Sequence, residues 1–324
     1  MRFVYVMDPM AGVLPDKDTS FAFQRAAQAR GHVALHALPR DLYVKDGDIY
    51  ARVRPLTVSA AQPHYNLGSP FDVRLAEVEA VFIRKDPPFD SEYLYMTQLL
   101  ERARGRTVLV NDPRGLRDAN EKLYTLHFSQ HTPRTLVASD RGRIFAFLDE
   151  VGGRAVIKPL HGAGGAGVLM LTRGDKNAPS ITDTVTQDGR AFAMVQEFLP
   201  GVVDGDKRVL LLDGNLLGAI NRVPRPEEFR SNIHVGGMVE PCEVTDAERA
   251  IIATLAPRLR QDGLFFVGLD IIAGRLTEVN VTSPTGIQEL SRHLDRDVAL
   301  DVIQWVERRA SELRPELRSN APPP

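Results

Sequence analysis

The chemistry this chain could perform is concentrated first in R-A-V-I-K-P-L-H-G-A-G-G-A-G-V-L-M-L-T, residues 154–172. An apolar strand ends in Lys158, and a glycine-dense turn follows at Gly162, Gly164, Gly165 and Gly167. Glycine lacks a Cβ, so successive backbone N–H groups can close around an oxyanion, and a lysine beside them adds a cation; the combination suits phosphate. A Walker A loop is excluded, because Gly-Lys-Ser/Thr would have to close it and Val168 follows Gly167. Gly162, Gly164 and Gly167 satisfy G-x-G-x-x-G, but a dinucleotide turn must then enter a helix, and V-L-M-L-T reads as a strand. Strand, glycine turn and strand make a hairpin able to close over a ligand. A flexible hairpin tip with no ligand has the same pattern.

The second concentration is G-L-D-I-I-A-G-R-L-T-E-V-N-V. Glu278 and Asn280 stand two apart on a strand and share a face, with Asp270 on the partner strand. Oxygen-only ligands of this kind suit Mg²⁺. An exposed face of alternating polar residues is the other reading, and the apolar F-F-V-G-L-D-I-I run speaks against it, since burying such groups unpaired costs roughly several kcal/mol. Loop length decides whether Asp270 joins the other two. A two-residue turn at Ala273-Gly274 pairs Asp270 with Thr277 and turns it away, whereas a three-residue turn with Gly274 left-handed brings all three together. The three-residue turn is expected.

Two further strings carry charge. R-K-D-P-P-F-D places Arg84, Lys85, Asp86 and Asp90 after a strand, where open α/β sheets bind ligands, although a charged surface turn would look the same. N-E-K-L sets Lys122 near a helix start, where a solvated lysine is the plain reading. Only 7 of the 40 basic residues are lysines, so a lysine within an apolar strand stands out. No zinc spacing, Ser/His/Asp set or nucleophile elbow is present, and the eight histidines are scattered.

These groups need elements to position them. M-R-F-V-Y-V-M is a strand, and a helix follows with Asp18 or Thr19 as N-cap and Gly31 at C′. A strand at 32–38 and a hairpin turning at Asp46-Gly47 come next, then a polar loop over 60–71 and a strand over 80–83. A helix capped by Ser91 runs to Arg104 and is followed by the strand V-L-V. This alternation predicts a mostly parallel, three-layer α/β lobe. Residues 115–131 and 144–150 read as helical, 173–190 as a polar stretch, and A-F-A-M-V-Q-E-F-L-P as a buried strand. A strand pair turns at Asp213-Gly214. The aperiodic P-R-P-E-E-F-R-S-N-I-H-V-G-G reads as a lid, and a capped helix over 245–262 leads into the last hairpin. Ser283 and Pro284 read as N-cap and N1 of a helix, whose N-terminus would suit a carboxylate.

At 324 residues, 43% apolar and 25% charged, the chain reads as globular, with two or three lobes. A net charge of -2 makes no case for nucleic-acid or membrane partners. The single cysteine, Cys242, excludes an intramolecular disulfide and fits a reducing cytosol, so a cytoplasmic location is expected. No apolar run reaches membrane-spanning length, and the first strand, broken at Asp8-Pro9, is not a signal peptide.

The order of signals resembles the ATP-grasp superfamily: an α/β lobe, a lysine-bearing glycine hairpin, Q-E-F-L, D-G-D-K-R-V, a lid and D…E-x-N. R-K-D-P-P-F-D, G-D-K-R-V-L and L-T-E-V-N-V-T-S-P-T, with M-D-P and D-T-S-F-A, resemble its bacterial glutathione synthetase family over nearly the whole chain. That resemblance implies an N-terminal substrate domain over 1–121, a small ATP-grasp lobe over 122–195 and a C-terminal ATP-grasp lobe over 196–324. It implies ATP and Mg²⁺, or Mn²⁺ in its place, as cofactors, γ-glutamylcysteine and glycine as substrates, an acyl phosphate intermediate and a homotetramer.

Carried over by matching strings, Lys122 and Lys158 would hold phosphates under the glycines from Gly162 to Gly167. Gln196, Glu197, Phe198 and Leu199 would meet adenine, and Asp206 the ribose. Asp270, Glu278 and Asn280 would bind metal, and Arg208 and Arg222 would neutralise the transferring phosphoryl group. Arg84, with Asp18 and Ser20, would bind γ-glutamylcysteine, and Arg230, Ser283 and Pro284 would complete the substrate contacts. The lid departs from the family pattern at Pro224, Pro226, Glu227 and Glu228, although Arg230 and a Gly236-Gly237 hinge remain. A sister ligase would need a different R-K-D-P-P-F-D region. A non-catalytic ATP-binding regulator would lack metal ligands or phosphate cations, and this chain has both. A dinucleotide dehydrogenase is disfavoured, because no helix follows the G-x-G-x-x-G match.

Overall fold

The computed structural model describes residues 1–162, 164–224 and 238–314. Their strands form three sheets in chain order. The first is built from β1 (Arg2–Met7), β2 (Val33–Ala37), β3 (Leu42–Lys45), β4 (Asp48–Val58), β5 (Tyr65–Leu67), β6 (Phe71–Arg74), β7 (Ala80–Arg84) and β8 (Val108–Val110). β2, β1, β7 and β8 run parallel, while β3, β5 and β6 pair antiparallel with β4. The loop expected over 60–71 is therefore corrected. Tyr65 and Phe71, aromatic residues suited to strands, open two short edge strands inside a polar stretch.

Helices α1 (Thr19–Ala29), α2 (Ser91–Leu100) and α3 (Pro113–Asp118) complete the first lobe. Alternation along β1 makes the layers. Phe3, Tyr5 and Met7 pack with Phe21 and Phe23 of α1, whereas Val4 and Val6 share a core with Tyr93 and Met96 of α2. Asp18 caps α1 by accepting from Phe21 N, and Gly31 follows its C-cap with φ 75°. α2 is capped by Asp90 rather than Ser91, because the Asp90 carboxylate accepts from Tyr93 N.

α3 joins the lobes through Gly115. A Cβ there would lie 2.1 Å from the Asp262 carbonyl, a backbone atom that cannot swing aside. Gly115→Ala is therefore expected to destabilise the protein by about 2 kcal/mol or more, read as a lower denaturant midpoint at unchanged slope.

The second sheet, in order β11-β10-β12-β9, comprises β9 (Thr135–Ala138), β10 (Arg154–Pro159), β11 (Leu169–Thr172) and β12 (Ala193–Glu197). Helices α4 (Arg141–Glu150) and α5 (Ala178–Thr186) cover one face. α5 lies within the stretch that reads as merely polar; it buries Ala178, Thr182 and Val185. Ala155 and Ile157 of β10 point into this core, so Val156 and Lys158 point the other way.

The third sheet, in order β15-β14-β13-β16-β17, comprises β13 (Asp206–Leu212), β14 (Asn215–Val223), β15 (Met238–Pro241), β16 (Phe266–Ile272) and β17 (Arg275–Asn280). Helix α6 (Asp246–Gln261), the capped helix expected here, opens with a capping box between Thr245 and Glu248. It packs Ile251, Leu255 and Leu259 against Val209, Leu211 and Leu269. Helices α7 (Ile287–Leu294) and α8 (Val298–Leu313) pack on the first lobe's α1 side, where Val302 and Val306 join Phe21 and Phe23.

The last hairpin corrects one expectation and keeps its consequence. Ala273 and Gly274 form a two-residue turn with φ 48° and 72°, pairing Ile272 with Arg275. Thr277 then bulges out, so that Asp270 faces Glu278 and Gly268 faces Asn280. The extra residue sits in the strand instead of the turn, and a bulge shifts facing as an odd loop would. Thr277 fills the bulge by donating its hydroxyl to the Asp270 carbonyl at 3.1 Å.

Candidate active site

The second and third sheets face each other across a cleft of about 860 Å³. Gly162, Gly164, Gly165 and Gly167 all hold positive φ, from 65° to 97°, in the turn between β10 and β11. A side chain at any of them would be strained, and at Gly167 a Cβ would also press on Pro159 at 3.0 Å. Lys158 reaches from β10 into the cleft and donates to Gln196 Oε1 at 2.7 Å, and Gln196 in turn donates to Thr135 at 3.1 Å. Burial lowers the Lys158 pKa, and the negative charge of Glu278 opposes that shift. Lys122, buried at the head of the 3-10 stretch Leu123–His131, lies 3.2 Å from Glu278 and donates to the Gly162 carbonyl at 3.2 Å. One lysine thus ties the glycine turn to the third sheet.

Deeper in the cleft, Glu197, Phe198 and Leu199 line the wall beyond Gln196. The Glu197 carboxylate accepts from Arg134 N, and Phe198 stacks 4.1 Å under the Arg154 guanidinium. Asp206 sits across from Arg222 in register and pairs with it at 2.6 Å.

Arg208 and Asp270 face each other between β13 and β16 in a two-point contact at 2.6 and 3.1 Å. Arg222 reaches the same carboxylate at 3.0 Å. Burial alone would raise the Asp270 pKa; the charges of Arg208 and Arg222 more than reverse this and hold the carboxyl well below the usual range. Burial likewise works against charged Arg222, yet Asp206 and Asp270 raise its pKa.

A second space of about 1530 Å³ continues from the first past Gly164 and Glu278. Asp18, Arg208, Arg222, Asn280, Ser283 and Pro284 line it. Arg84 stands behind this wall, buried over the rings of Phe23 and Phe266, donating to Ser20 Oγ and the Pro284 carbonyl, each at 3.0 Å. Burial lowers its pKa, opposed by Asp18 and Asp86. Burial raises that of Asp18, opposed by the capping bond from Phe21.

Ser283 and Pro284 are not the helix cap that the sequence suggests. α7 starts at Ile287 with Gly286, φ 114°, as its N-cap. The preceding carbonyls of Pro284 and Thr285 are turned toward Arg84 and Arg208. Arg230, with Pro226, Glu227, Glu228 and the Gly236-Gly237 pair, lies outside the described residues.

Glu121 is a site residue that sequence reasoning passed over. Its Oε1 accepts from Val281 N at 2.8 Å, Thr282 N at 3.0 Å and Thr282 Oγ1 at 2.9 Å, fixing the chain just beyond Asn280. Burial, then the nearby Glu278 charge, raises its pKa. Its place inside N-E-K-L, beside Lys122, was the available signal.

Two antiparallel sheets closing on a cleft, one bearing a glycine turn and lysine and the other acidic and amide oxygens, define an ATP-grasp ligase. Solved structures share that fold: a D-cycloserine synthetase aligns with TM-score 0.67 at 18% identity, over 97% of this chain and 100% of its own. D-alanine–D-alanine ligase from Bacillus anthracis aligns with TM-score 0.59 at 14% identity, over 96% and 99%. Within this class, residues 1–117 match the prokaryotic glutathione synthetase N-terminal domain and residues 121–295 the prokaryotic glutathione synthetase ATP-grasp domain. Glutathione synthetase of Synechococcus elongatus is 48% identical, across 90% of this chain and 94% of that protein. That of Mesorhizobium japonicum is 41% identical, across 92% and 96%. The chain belongs to the prokaryotic glutathione synthetase family.

Proposed function

We infer that the protein is an ATP-dependent ligase that joins γ-glutamylcysteine to glycine, forming glutathione, ADP and phosphate. The observation that carries this reading is that the two cavities share Gly164 and Glu278 as lining. Glu278 stands between the cleft that holds Lys158 and the substrate space, which Arg208 and Arg222 line. Lys122, Lys158 and the glycine turn hold the ATP phosphates, residues 196–199 take adenine, and Asp206 takes the ribose. The γ-phosphoryl group passes to the cysteinyl carboxylate, giving an acyl phosphate and ADP. Glycine's amine then attacks the carbonyl carbon, and phosphate leaves. No side chain acts as nucleophile; positioning and charge neutralisation by Arg208 and Arg222 do the work. Arg84 acts through Ser20 and Pro284, shaping with Asp18 and Ser283 the pocket for γ-glutamylcysteine. Arg230 is assigned a substrate contact on the same reading.

The metal ligands fit a hard cation. Glu278 and Asn280 line the junction cavity, and the Asn280 amide nitrogen is spent on the Gly268 carbonyl at 3.2 Å, leaving its oxygen as the donor. Asp270 Oδ1 accepts from both arginines and Oδ2 from one, so Oδ2 keeps a lone pair for a metal ion. Mg²⁺ held there, or Mn²⁺ in its place, would withdraw charge from phosphate oxygens. The domain division at 121 and 195, a cytoplasmic location and a homotetramer belong to the same reading. In support of location, no helix among the described residues is long and apolar enough to cross a membrane.

Phosphate release from Mg-ATP, γ-glutamylcysteine and a panel of amino acids tests the substrates, with glycine expected as acceptor. Oxygen-18 in the cysteinyl carboxylate tests the route. Because the amine attacks carbon, one labelled oxygen is expected in the released phosphate. Phosphate free of label under full turnover would mean that another activated species, such as an adenylate, carries the acyl group.

A further inference from the structure

Glu289, in the first turn of α7, is a carboxylate that the mechanism above does not use. Its side chain is 7% exposed. Oε1 lies 3.3 Å from Arg292, a 57% exposed side chain that also donates to the Asp16 carbonyl. Oε2 is buried with no hydrogen-bond partner among the described residues. A carboxylate oxygen withdrawn from water without a donor is costly, so a donor is expected in the working enzyme. The position of Glu289 limits where that donor comes from. It lines the substrate cavity together with Asp18. The neighbouring Gln288 pins this helical turn to the first lobe, donating to the carbonyls of Pro15 at 2.9 Å and Asp18 at 2.7 Å. Two carboxylates from different lobes thus border one cavity.

We propose that Glu289 is a substrate-binding residue that receives the α-ammonium of the γ-glutamyl end. The proposal rests on the γ-glutamylcysteine reading above. The ligand must bring a cation with N–H donors, and the substrates offer two ammonium groups. Glycine's nitrogen must shed a proton to attack, and a fixed carboxylate would hold it protonated. The γ-glutamyl ammonium takes no part in the reaction and stays charged throughout, so a permanent anionic partner suits it. Glu289 then selects for that ammonium, and a thiol acid lacking it leaves the carboxylate unpaired.

The test compares γ-glutamylcysteine with N-glutarylcysteine, which lacks only the ammonium, using the full chain, Mg-ATP and glycine. Glu289→Gln is expected to raise the KM for γ-glutamylcysteine by about tenfold to a hundredfold. The KM values for ATP, glycine and N-glutarylcysteine stay as in the parent, so the preference for the amino substrate collapses. Glu289→Asp, which retracts the carboxylate by one methylene, is expected to fall between. If Glu289→Gln does not fold, the aspartate variant decides: a weakened preference at unchanged ATP KM supports the proposal, and an unchanged preference overturns it. A preference kept in Glu289→Gln, or a shift in the glycine KM instead, also overturns it. A parent that releases no phosphate with γ-glutamylcysteine defeats the ligase reading first. A working parent with an unaltered preference in the variants defeats this proposal alone.

Discussion

Asp270→Asn is expected to cut turnover by three orders of magnitude or more, on the order of the loss from removing preorganised charge stabilisation, and to destabilise the fold by about 3 kcal/mol at neutral pH. Both effects have one origin. Asp270 is 3% exposed and is the common partner of Arg208 and Arg222. The asparagine keeps the shape but removes the carboxylate shared by the two guanidinium groups, leaving Asp206 as the paired carboxylate of Arg222 among the described residues. On the proposed assignment, those guanidinium groups would then drift from the phosphoryl path, and the metal would lose its third oxygen ligand.

The pH dependence follows with a definite sign. The folded-state pKa of Asp270 is depressed below its ordinary value of 3.8, so its stabilisation is fully present above that value. It is lost only as pH falls toward the folded pKa. The stability gap between parent and Asp270→Asn, measured by denaturant titration, should be flat from neutral pH down to about 4 and narrow below it. A gap that already closes between pH 7 and 5 would show that Asp270 is not held by the arginines.

Much of this site was legible because its signals are local. The glycine turn after Lys158 and the Glu278/Asn280 pair each lie within one hairpin, and strand periodicity assigns that pair to one face, which Asp270 joins only through the bulge at Thr277. The turns at Asp46-Gly47 and Asp213-Gly214 formed as left-handed pairs for the same reason, with φ between 51° and 85°. What stayed hidden depends on distant partners. Thr277 bulges because of how β16 and β17 meet, and its own sequence matches a regular strand. Ser283-Pro284 resembles a helix start, but the carbonyls that follow are claimed by Arg84 and Arg208 from other strands. α8 is placed by packing on α1, nearly the full chain length away. Glu121 stands out through its buried hydrogen bonds and Glu289 through its burial, neither of which a single strand or helix period reveals.

Lys158→Ala should lose turnover by about a hundredfold to a thousandfold while unfolding no more easily than the parent. The lysine does little for the empty fold. It donates a hydrogen bond to Gln196, itself anchored on Thr135. Burial works against its charge, as the lowered pKa records. A base whose folded pKa lies below its unfolded value of 10.5 imposes a folding penalty at every pH below the folded value. That penalty fades as pH rises toward the unfolded one. Neutral pH lies well below 10.5, so the penalty is present there; its removal offsets the lost contact with Gln196, and the denaturant midpoint of the variant should match or exceed the parent's. Phosphate oxygens reverse the balance, because a cation held in a shielded cleft over the glycine turn gains most when negative charge arrives. ATP should therefore protect the parent from thermal unfolding far more than the variant. A variant that unfolds at much lower denaturant yet binds ATP as tightly as the parent would make Lys158 a structural residue and remove it from the phosphate site.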